Sequence, residues 1–374
     1  MTRAALFSPP SCPVLVVKIG SSLLVAPDGR VRRDWLAGIV ADVAARRAAG
    51  QRIILVSSGA IALGARRLGL PGGGRASLED AQAAAATGQI ALSQTWAELL
   101  GERGITAAQM LLTLDDLEDR RRYLNASATL ARLLALGVVP VVNENDSVAT
   151  EEIRFGDNDR LAARVALAAG AGGVVLLSDV DGLYTADPAR DPSATLVADA
   201  TLDAATLAMA DGASRSGMGS GGMAAKLAAA RIAHEGGAHL AIVGGAGDRP
   251  LSAFADTARG TVFAASARRG ARKAWLAGRL TARGRILIDE GAADALGRGA
   301  SLLPAGARAA EGRFARGDVV DIVGADGRIV ARGLAEYDGE EARRIAGRRS
   351  TDLADLLGYA PRAALVHRDH MVML

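Results

Sequence analysis

Residues 14–22 read VLVVKIGSS, a short run of branched apolar residues that ends in a glycine and two serines. A run of this length that is rich in valine and bounded by a turn is typical of a buried β-strand. A helical stretch follows and stops at Gly50, and RIILVSSGAIALG (52–64) then repeats the order of strand, glycine turn and helix. The alternation predicts a parallel sheet that helices cover on both faces.

The same alternation continues along most of the chain. Further strands are predicted at 107–113, 138–143, 172–179 and 238–245, and helices at 80–101, 121–137, 160–170 and 224–237. The predicted fold class is therefore α/β, with an open, mostly parallel sheet sandwiched by helices. In such sheets ligands bind beyond the carboxyl ends of the strands.

The pattern changes near residue 270. Short β-like segments with turn residues follow, and VGADGRIVARG (323–333) predicts a hairpin around an Asp-Gly turn. We therefore expect a second, small, mostly β domain at the end of the chain.

Composition restricts the class of protein. Half of the residues are hydrophobic but only 3% are aromatic, so the core must consist mainly of Ala, Val, Leu and Ile. Cys12 is the only cysteine, which rules out an intramolecular disulfide and fits a reducing compartment. The first 13 residues are too short and too proline-broken for a signal peptide, and no apolar stretch is long enough to span a membrane. We expect a cytoplasmic protein without a membrane partner.

Positive charge is concentrated late in the chain. The formal net charge is only +3, but SARRGARK (266–273) and EEARRIAGRRS (340–350) are rich in arginine. Such stretches are either solvated surface or a contact for nucleic acid.

Two glycine-containing stretches predict phosphate contacts. In VVKIGSS (16–22), a lysine near a strand end is followed by backbone N–H groups that could bind an anion, although a lysine that only reaches solvent is the alternative. In GMGSGGMAAKLAAA (217–230), a glycine turn leads into a helix that carries Lys226. This second stretch is not a P-loop, because Leu227 follows the lysine; its alternative is a flexible linker.

Two further stretches combine acids with turn residues. LLSDVDGLYTADP (176–188) predicts a loop that lines a nucleotide pocket, or an ordinary strand exit with Asx turns. VVNENDSVATEEIRFGDNDRLAA (141–163) is compatible with a metal site, a helix cap at Asp157 or a site for a charged small molecule. It lacks the spacing of an EF-hand and has no nearby histidine for zinc.

In this order and at this spacing the motifs resemble those of the bacterial glutamate 5-kinase family, a branch of the amino acid kinases. The resemblance rests on VVKIGSS, VSSGAIALG, VVNENDSV, FGDNDRLAA, LLSDVDGLYTADP and GMGSGGMAAK. It covers nearly the whole chain and implies an amino acid kinase domain over 12–268 and a β-barrel-like PUA domain over 283–362. Ser178 and Ser220 stand where threonine is common, and Ala225 replaces a hydroxyl residue.

The resemblance implies an activity. We expect transfer of the γ-phosphoryl group of ATP to the γ-carboxylate of L-glutamate, giving L-glutamyl 5-phosphate in the first step of proline biosynthesis. Mg²⁺ would accompany ATP, with no metal ligand assigned to the protein. The family also implies a homo-oligomer, a dimer or tetramer, and feedback inhibition by proline. The alternatives are an RNA-binding or RNA-modification protein that acts through the PUA domain, and a sister kinase with another carboxylate substrate.

Site residues follow from the same resemblance. The catalytic residues would be Lys18, Lys226 and Asp159, with Asp159 pairing with both lysines. The residues expected to bind glutamate are Ser58, Asn143, Asp146 and Asn158. Those expected to bind ATP are Lys18, Gly20, Ser21, Ser178, Asp179, Ser220, Gly221, Gly222, Met223, Ala224, Ala225 and Lys226.

Overall fold

In a computed structural model of the chain, the apolar run at its start forms strand β1 (Val14–Ile19), and every residue of that strand is buried. Side chains alternate along a strand, so successive residues enter different cores. Leu15 and Val17 join the core on one face of the sheet, whereas Val14 and Val16 join the core on the other. The strand therefore lies at the centre of a sheet with two covered faces, as its sequence predicts.

The structure describes residues 2–26, 29–148, 157–213, 220–265, 282–359 and 361–374, which divide into two units, Met1–Ala267 and Arg268–Leu374. The first unit holds an eight-stranded sheet with the order β3-β4-β2-β1-β5-β7-β8-β6. The remaining strands are β2 (Arg52–Ser57), β3 (Ala107–Leu112), β4 (Val139–Glu144), β5 (Gly173–Ser178), β6 (Asp199–Ala200), β7 (His239–Gly244) and β8 (Thr261–Phe263). Neighbouring strands are parallel except for β7 and β8, so the prediction of a mostly parallel sheet is confirmed.

Helices cover both faces of this sheet. They are α1 (Ser21–Leu24), α2 (Arg33–Ala48), α3 (Ala60–Leu68), α4 (Leu78–Gly101), α5 (Leu114–Glu118), α6 (Arg120–Ala135), α7 (Asp157–Ala169), α8 (Ala204–Ala213), α9 (Ser220–Glu235) and α10 (Pro250–Thr257). Leu36 of α2 and Trp96 of α4 pack in one core, and Leu161 of α7 and Leu227 of α9 pack in the other. Within the described ranges, no helix is both long enough and apolar enough to cross a membrane.

The second unit has its own sheet and core. Its strands are β9 (Gly284–Ile288), β10 (Ala307–Gly312), β11 (Val319–Val323), β12 (Ile329–Ala335) and β13 (Val366–Met373), in the order β10-β9-β11-β12-β13. Its helices are α11 (Glu290–Gly297), α12 (Gly339–Ile345) and α13 (Leu353–Leu357). Strands β11 and β12 are antiparallel and Gly327 has a φ of 78°, which confirms the predicted hairpin.

Helices α3 and α4 approach each other at two glycines. A Cβ atom added to Gly64 would overlap the carbonyl oxygen of Ala84, and one added to Gly88 would overlap that of Ala60. The contact affects the carboxyl ends of the strands. Helix α3 begins just after Ser58, which follows β2, and α4 carries Gln89. The close approach therefore fixes the positions of two helices that border the candidate site.

We predict that Gly88→Ala lowers the free energy of unfolding of the first unit by about 3 kcal/mol, the upper end of the usual cost of overpacking. The clash is with backbone, which cannot move aside as a flexible side chain can. The shift of the urea midpoint measures the loss.

Gly101→Ala is the matched control, because Gly101 lies in the same helix and a Cβ atom there would meet nothing within 4 Å. That variant should be unchanged or more stable by about 0.5–1 kcal/mol, the usual gain of alanine over glycine in a helix. Equal midpoints for the two variants would contradict the close-packing argument.

Candidate active site

Polar residues lie at or just beyond the carboxyl ends of four neighbouring strands. Lys18 is in β1, Ser58 follows β2, Asn143 is in β4 and Ser178 ends β5, and each is buried. The four strands are parallel, so their carboxyl ends lie at the same edge of the sheet. The structure therefore brings together residues from four of the sequence motifs at the edge where this class of sheet binds ligands.

Asp159 forms ion pairs with two lysines at that edge. Its Oδ1 lies 2.6 Å from Lys18 Nζ, and its Oδ2 lies 3.1 Å from Lys226 Nζ. The side chain of Asp159 is 1% exposed, and those of Lys18 and Lys226 are 9% and 10% exposed. Each carboxylate oxygen is thus occupied by one ammonium group, and one positive charge is left over for an anionic ligand.

Burial and pairing act on these groups in opposite directions. Burial lowers the pKa of Lys18 and the nearby charge of Lys226 lowers it further, while Asp159 offsets part of the shift. For Asp159, burial alone would raise the pKa, but the two ammonium groups outweigh it and hold the pKa below its usual range. Asp159 therefore stays ionised at neutral pH and supports the charge on Lys18.

Two glycines keep the space beside the ammonium groups open. A Cβ atom on Gly20 would lie 3.9 Å from Lys18 Nζ, and one on Gly222 would lie 4.0 Å from Lys226 Nζ. Gly20 also precedes α1, in which Ser21 is the first residue. The missing side chains allow an anion to approach both the lysines and the neighbouring backbone N–H groups.

The start of α9 lies next to Lys226. Ser220, Gly221, Met223, Ala224 and Ala225 form its first turns together with Gly222, and the helix continues to Glu235. The N-terminus of a helix presents unpaired backbone N–H groups and the positive end of the helix dipole. Seven successive residues predicted to bind ATP, from 220 to 226, thus form one continuous segment at a helix N-terminus.

Ser178 and Asp179 lie at the end of β5, beside β1. Ser178 Oγ donates a hydrogen bond to Asp179 Oδ1 at 3.0 Å, and Asp179 is close enough to Lys18 for their charges to attract. The hydroxyl therefore orients a carboxylate next to the lysine pair.

Two of the residues predicted to bind glutamate, Ser58 just after strand β2 and Asn143 in β4, lie on the opposite side of β1 from β5. Asn158 Nδ2 donates to Asn143 Oδ1 at 3.2 Å, which connects α7 to β4. Asp146 is buried and lines a cavity of about 360 Å³ together with Glu144 and Ser147. Carboxylate and amide groups at this edge can accept hydrogen bonds from an ammonium group.

Two residues near this cavity belong to none of the sequence motifs. Gln89 of α4 accepts a hydrogen bond from Asn143 Nδ2 at 2.7 Å, and Arg75 lies close enough to Asp146 for their charges to interact. Gln89 stands in an alanine-rich helical stretch whose pattern predicts only packing. Arg75 stands in a glycine-rich loop, and nothing in the sequence links that loop to Asp146.

Parts of three motifs lie outside the described residues. They are the segment 149–156, the glycine turn at 217–219 and the basic stretch 266–273. The described residues contain no group of three or more His, Cys, Asp or Glu side chains that could hold a metal ion.

Comparison with known proteins places this chain in a family. Residues 13–244 match the amino acid kinase family, and residues 284–357 match the PUA domain. The chain is 67% identical over 370 residues to a glutamate 5-kinase of Sphingopyxis alaskensis, covering 99% of this chain and 100% of the relative.

Two other relatives agree. A glutamate 5-kinase of Zymomonas mobilis is 62% identical, with 100% of this chain and 94% of the relative covered. One of Novosphingobium aromaticivorans is 60% identical, with 97% of each covered. The chain therefore belongs to the amino acid kinase family and, within it, to the glutamate 5-kinases.

Proposed function

We propose that the chain transfers the γ-phosphoryl group of ATP to the γ-carboxylate of L-glutamate and forms L-glutamyl 5-phosphate, the first step of proline biosynthesis from glutamate. Residues 12–268 would form the kinase domain, and 283–362 the PUA domain. The observation that carries the proposal is the buried arrangement of two lysines on one aspartate at the ligand-binding edge of the sheet.

The chemistry needs charge control more than acid–base catalysis. A glutamate side chain with a pKa of ~4.3 is ionised at neutral pH, so no group has to remove a proton from the nucleophile. The difficulty is that a carboxylate must approach a polyphosphate, and both are anions. Lys18 and Lys226 supply the opposite charge where negative charge gathers in the transition state.

Asp159 has a positioning role in this scheme. Both of its oxygens bind ammonium groups, so it holds Lys18 and Lys226 at fixed places without touching the phosphate. Fixed charges need no rearrangement during the reaction, which is why preorganised groups lower barriers effectively. The two lysines are thus presented as a rigid pair.

Nucleotide and amino acid would occupy opposite sides of strand β1, with the nucleotide beside β5 and the amino acid beside β2 and β4. Gly20, Ser21, Ser178, Asp179 and the segment 220–226 would hold ATP through backbone N–H groups and polar side chains. Ser58, Asn143, Asp146 and Asn158 would hold L-glutamate, with the Asp146 carboxylate near its ammonium group. In-line transfer then requires only that the γ-carboxylate and the γ-phosphate meet beside the lysines.

Mg²⁺ fits this site as a companion of ATP. Asp179 offers carboxylate oxygen near Lys18, whereas the oxygens of Asp159 are already paired with ammonium groups. Mg²⁺ commonly keeps several waters and takes one or two protein carboxylates in addition to phosphate oxygens. When bound, the ion neutralises charge on the phosphates.

Regulation and assembly stay predictions. The family resemblance favours a homo-oligomer, a cytoplasmic location and inhibition by proline. An RNA contact would come only through the PUA domain.

The direct test is ADP release with purified protein, ATP and Mg²⁺ and a panel of L-glutamate, L-aspartate and N-acetyl-L-glutamate, each with and without proline. Of the three substrates, we expect only L-glutamate to support turnover. Turnover with another panel member and none with glutamate would establish a sister kinase. No turnover together with salt-sensitive RNA binding would overturn the proposal in favour of an RNA-directed function.

We predict that Lys226→Ala lowers the turnover number about a hundredfold or more, the usual loss when a group that stabilises transition-state charge is removed. The KM for glutamate should change much less, because the lysine acts on the transferring group. Arg231→Ala is the control, since Arg231 is exposed on the same helix. Unchanged kinetics with a lowered melting temperature would instead mean that Lys226 is only structural.

We predict that Asp159→Asn moves the alkaline limb of the turnover–pH profile to lower pH by about one unit or more, since a nearby opposite charge commonly shifts a pKa by 1–3 units. Activity needs Lys18 protonated, so it falls as pH rises through the pKa of Lys18. Asp159 raises that pKa against the effect of burial, and its neutralisation must lower it further.

Asp42→Asn is the control for the loss of a buried carboxylate. Asp42 accepts hydrogen bonds from Leu251 N and Ser252 N at the start of α10, in a contact separate from the lysines. This variant should lose stability without moving the alkaline limb. A limb that stays in place in Asp159→Asn would show that Asp159 does not set the charge on Lys18.

A further inference from the structure

Three amide side chains form a continuous chain beside the amino acid site. Asn143 Nδ2 donates to Gln89 Oε1 at 2.7 Å, and Asn158 Nδ2 donates to Asn143 Oδ1 at 3.2 Å. Asn143 Oδ1 also accepts the backbone N–H of Glu144 at 2.9 Å. The three amides belong to α4, β4 and α7, so the chain of hydrogen bonds crosses three elements.

The backbone N–H of Glu144 fixes the polarity of the whole chain. A backbone N–H can only donate, so the atom of Asn143 that faces it must be the carbonyl oxygen. The NH₂ group of Asn143 then faces Gln89, and the carbonyl oxygen of Gln89 must accept its hydrogen bond. The same Asn143 oxygen can only accept, so Asn158 must donate to it through its NH₂ group. The carbonyl oxygen of Asn158 therefore points away from Asn143.

The carbonyl oxygen of Asn158 is left as an acceptor. Oδ1 of Asn158 is buried and has no hydrogen-bond partner within the described ranges of the chain. Asn158 immediately precedes Asp159, the residue that holds the two lysines, and is bonded to Asn143 at the end of β4. A buried carbonyl that accepts nothing is costly, so its orientation calls for a donor from a ligand.

We propose that Gln89 is a positioning residue that orients Asn158 to accept a hydrogen bond from the ammonium group of the amino acid substrate. This inference rests on the proposed function and deepens it. Gln89 acts through Asn143: it binds the NH₂ group of that side chain and so stabilises the orientation that the Glu144 N–H also selects.

The orientation has a consequence for specificity. Asn158 Oδ1 and the Asp146 carboxylate are both acceptors, and an ammonium group offers three N–H donors and a positive charge. An N-acylated amino acid offers one N–H and no positive charge, so it would lose the attraction of the Asp146 carboxylate and could donate to only one acceptor. The amide chain therefore selects amino acids with a free α-ammonium group.

The rival reading is that Gln89 merely satisfies the buried NH₂ group of Asn143. In that case its loss would cost stability but would leave glutamate binding intact. The two interpretations predict different values for three quantities. They are the KM for glutamate after the loss of Gln89, the KM of a variant that keeps an acceptor at position 89, and the effect of losing Gln89 when Asn158 is also replaced.

The test compares steady-state kinetics of the full chain with Gln89→Met, Gln89→Glu and Gln94→Met. Gln89→Met removes the acceptor oxygen at similar length, and we expect about a tenfold rise in the KM for glutamate, the equivalent of one lost hydrogen bond. The turnover number and the KM for ATP should stay within about twofold. Gln89→Glu keeps an acceptor oxygen, so its KM for glutamate should stay within about threefold of the parent value.

Gln94→Met is the matched control, because Gln94 lies on the same helix and its side chain bonds the exposed Glu98. A double-mutant cycle with Asn158→Ala then tests the route of action. If Gln89 acts through Asn158, Gln89→Met should add less than about a twofold change in the Asn158→Ala background.

The outcomes separate the inference from the proposed function. A parent protein that does not turn over glutamate refutes the function itself. An active parent whose Gln89→Met variant keeps the parent KM, or whose two substitutions act independently, refutes only the role of Gln89. Gln89→Asn, which withdraws the carbonyl by one methylene, replaces Gln89→Met if that variant does not fold.

Discussion

One buried carboxylate organises the kinase unit. Asp159 pairs with Lys18 of β1 and Lys226 of α9, and it belongs itself to α7. Three buried charges are costly to remove from water, and removing one partner of such a group is far worse than keeping all of them. The sheet and its two helices must therefore meet at one place. Within this group of two lysines and one carboxylate, one positive charge is left to receive an anion.

The position of Asp159 in its helix also ties the two halves of the site together. Asn158 precedes it in the first turn of α7 and bonds Asn143, which bonds Gln89 of α4. Helix α4 in turn packs against α3 through glycines that leave no room for a side chain. A shift of α7 would thus disturb both the lysines and the amides. The geometry couples recognition of the amino acid to placement of the charges that act on phosphate.

Much of this arrangement is readable from sequence, because its signals are local. Valine-rich runs predict the strands, and Lys18 and Lys226 stand next to glycines that mark anion contacts. The partners of those lysines are not local: Lys226 and Asp159 are 67 positions apart, and only the resemblance to a family suggested that they pair. Gln89 could not be recognised, because a polar residue in an alanine-rich helix carries no mark of the strand end it faces. Arg75 lies in a glycine-rich loop for which the same holds.

The acidic stretch that begins at the end of β4 illustrates how geometry decides between chemical readings. By composition alone it suits a metal ion, a helix cap or a charged small molecule. The oxygens of Asp159 lie 2.6 and 3.1 Å from the ammonium groups of two lysines, and these positive charges disfavour a metal ion beside this carboxylate. Asn143 and Asn158 bond each other, Gln89 and the backbone N–H of Glu144, and the carbonyl oxygen of Asn158 is left to accept. One spare carbonyl oxygen beside two ammonium groups is too few ligands for a metal ion, which takes roughly six or more oxygens, so the arrangement suits an ammonium-bearing substrate better.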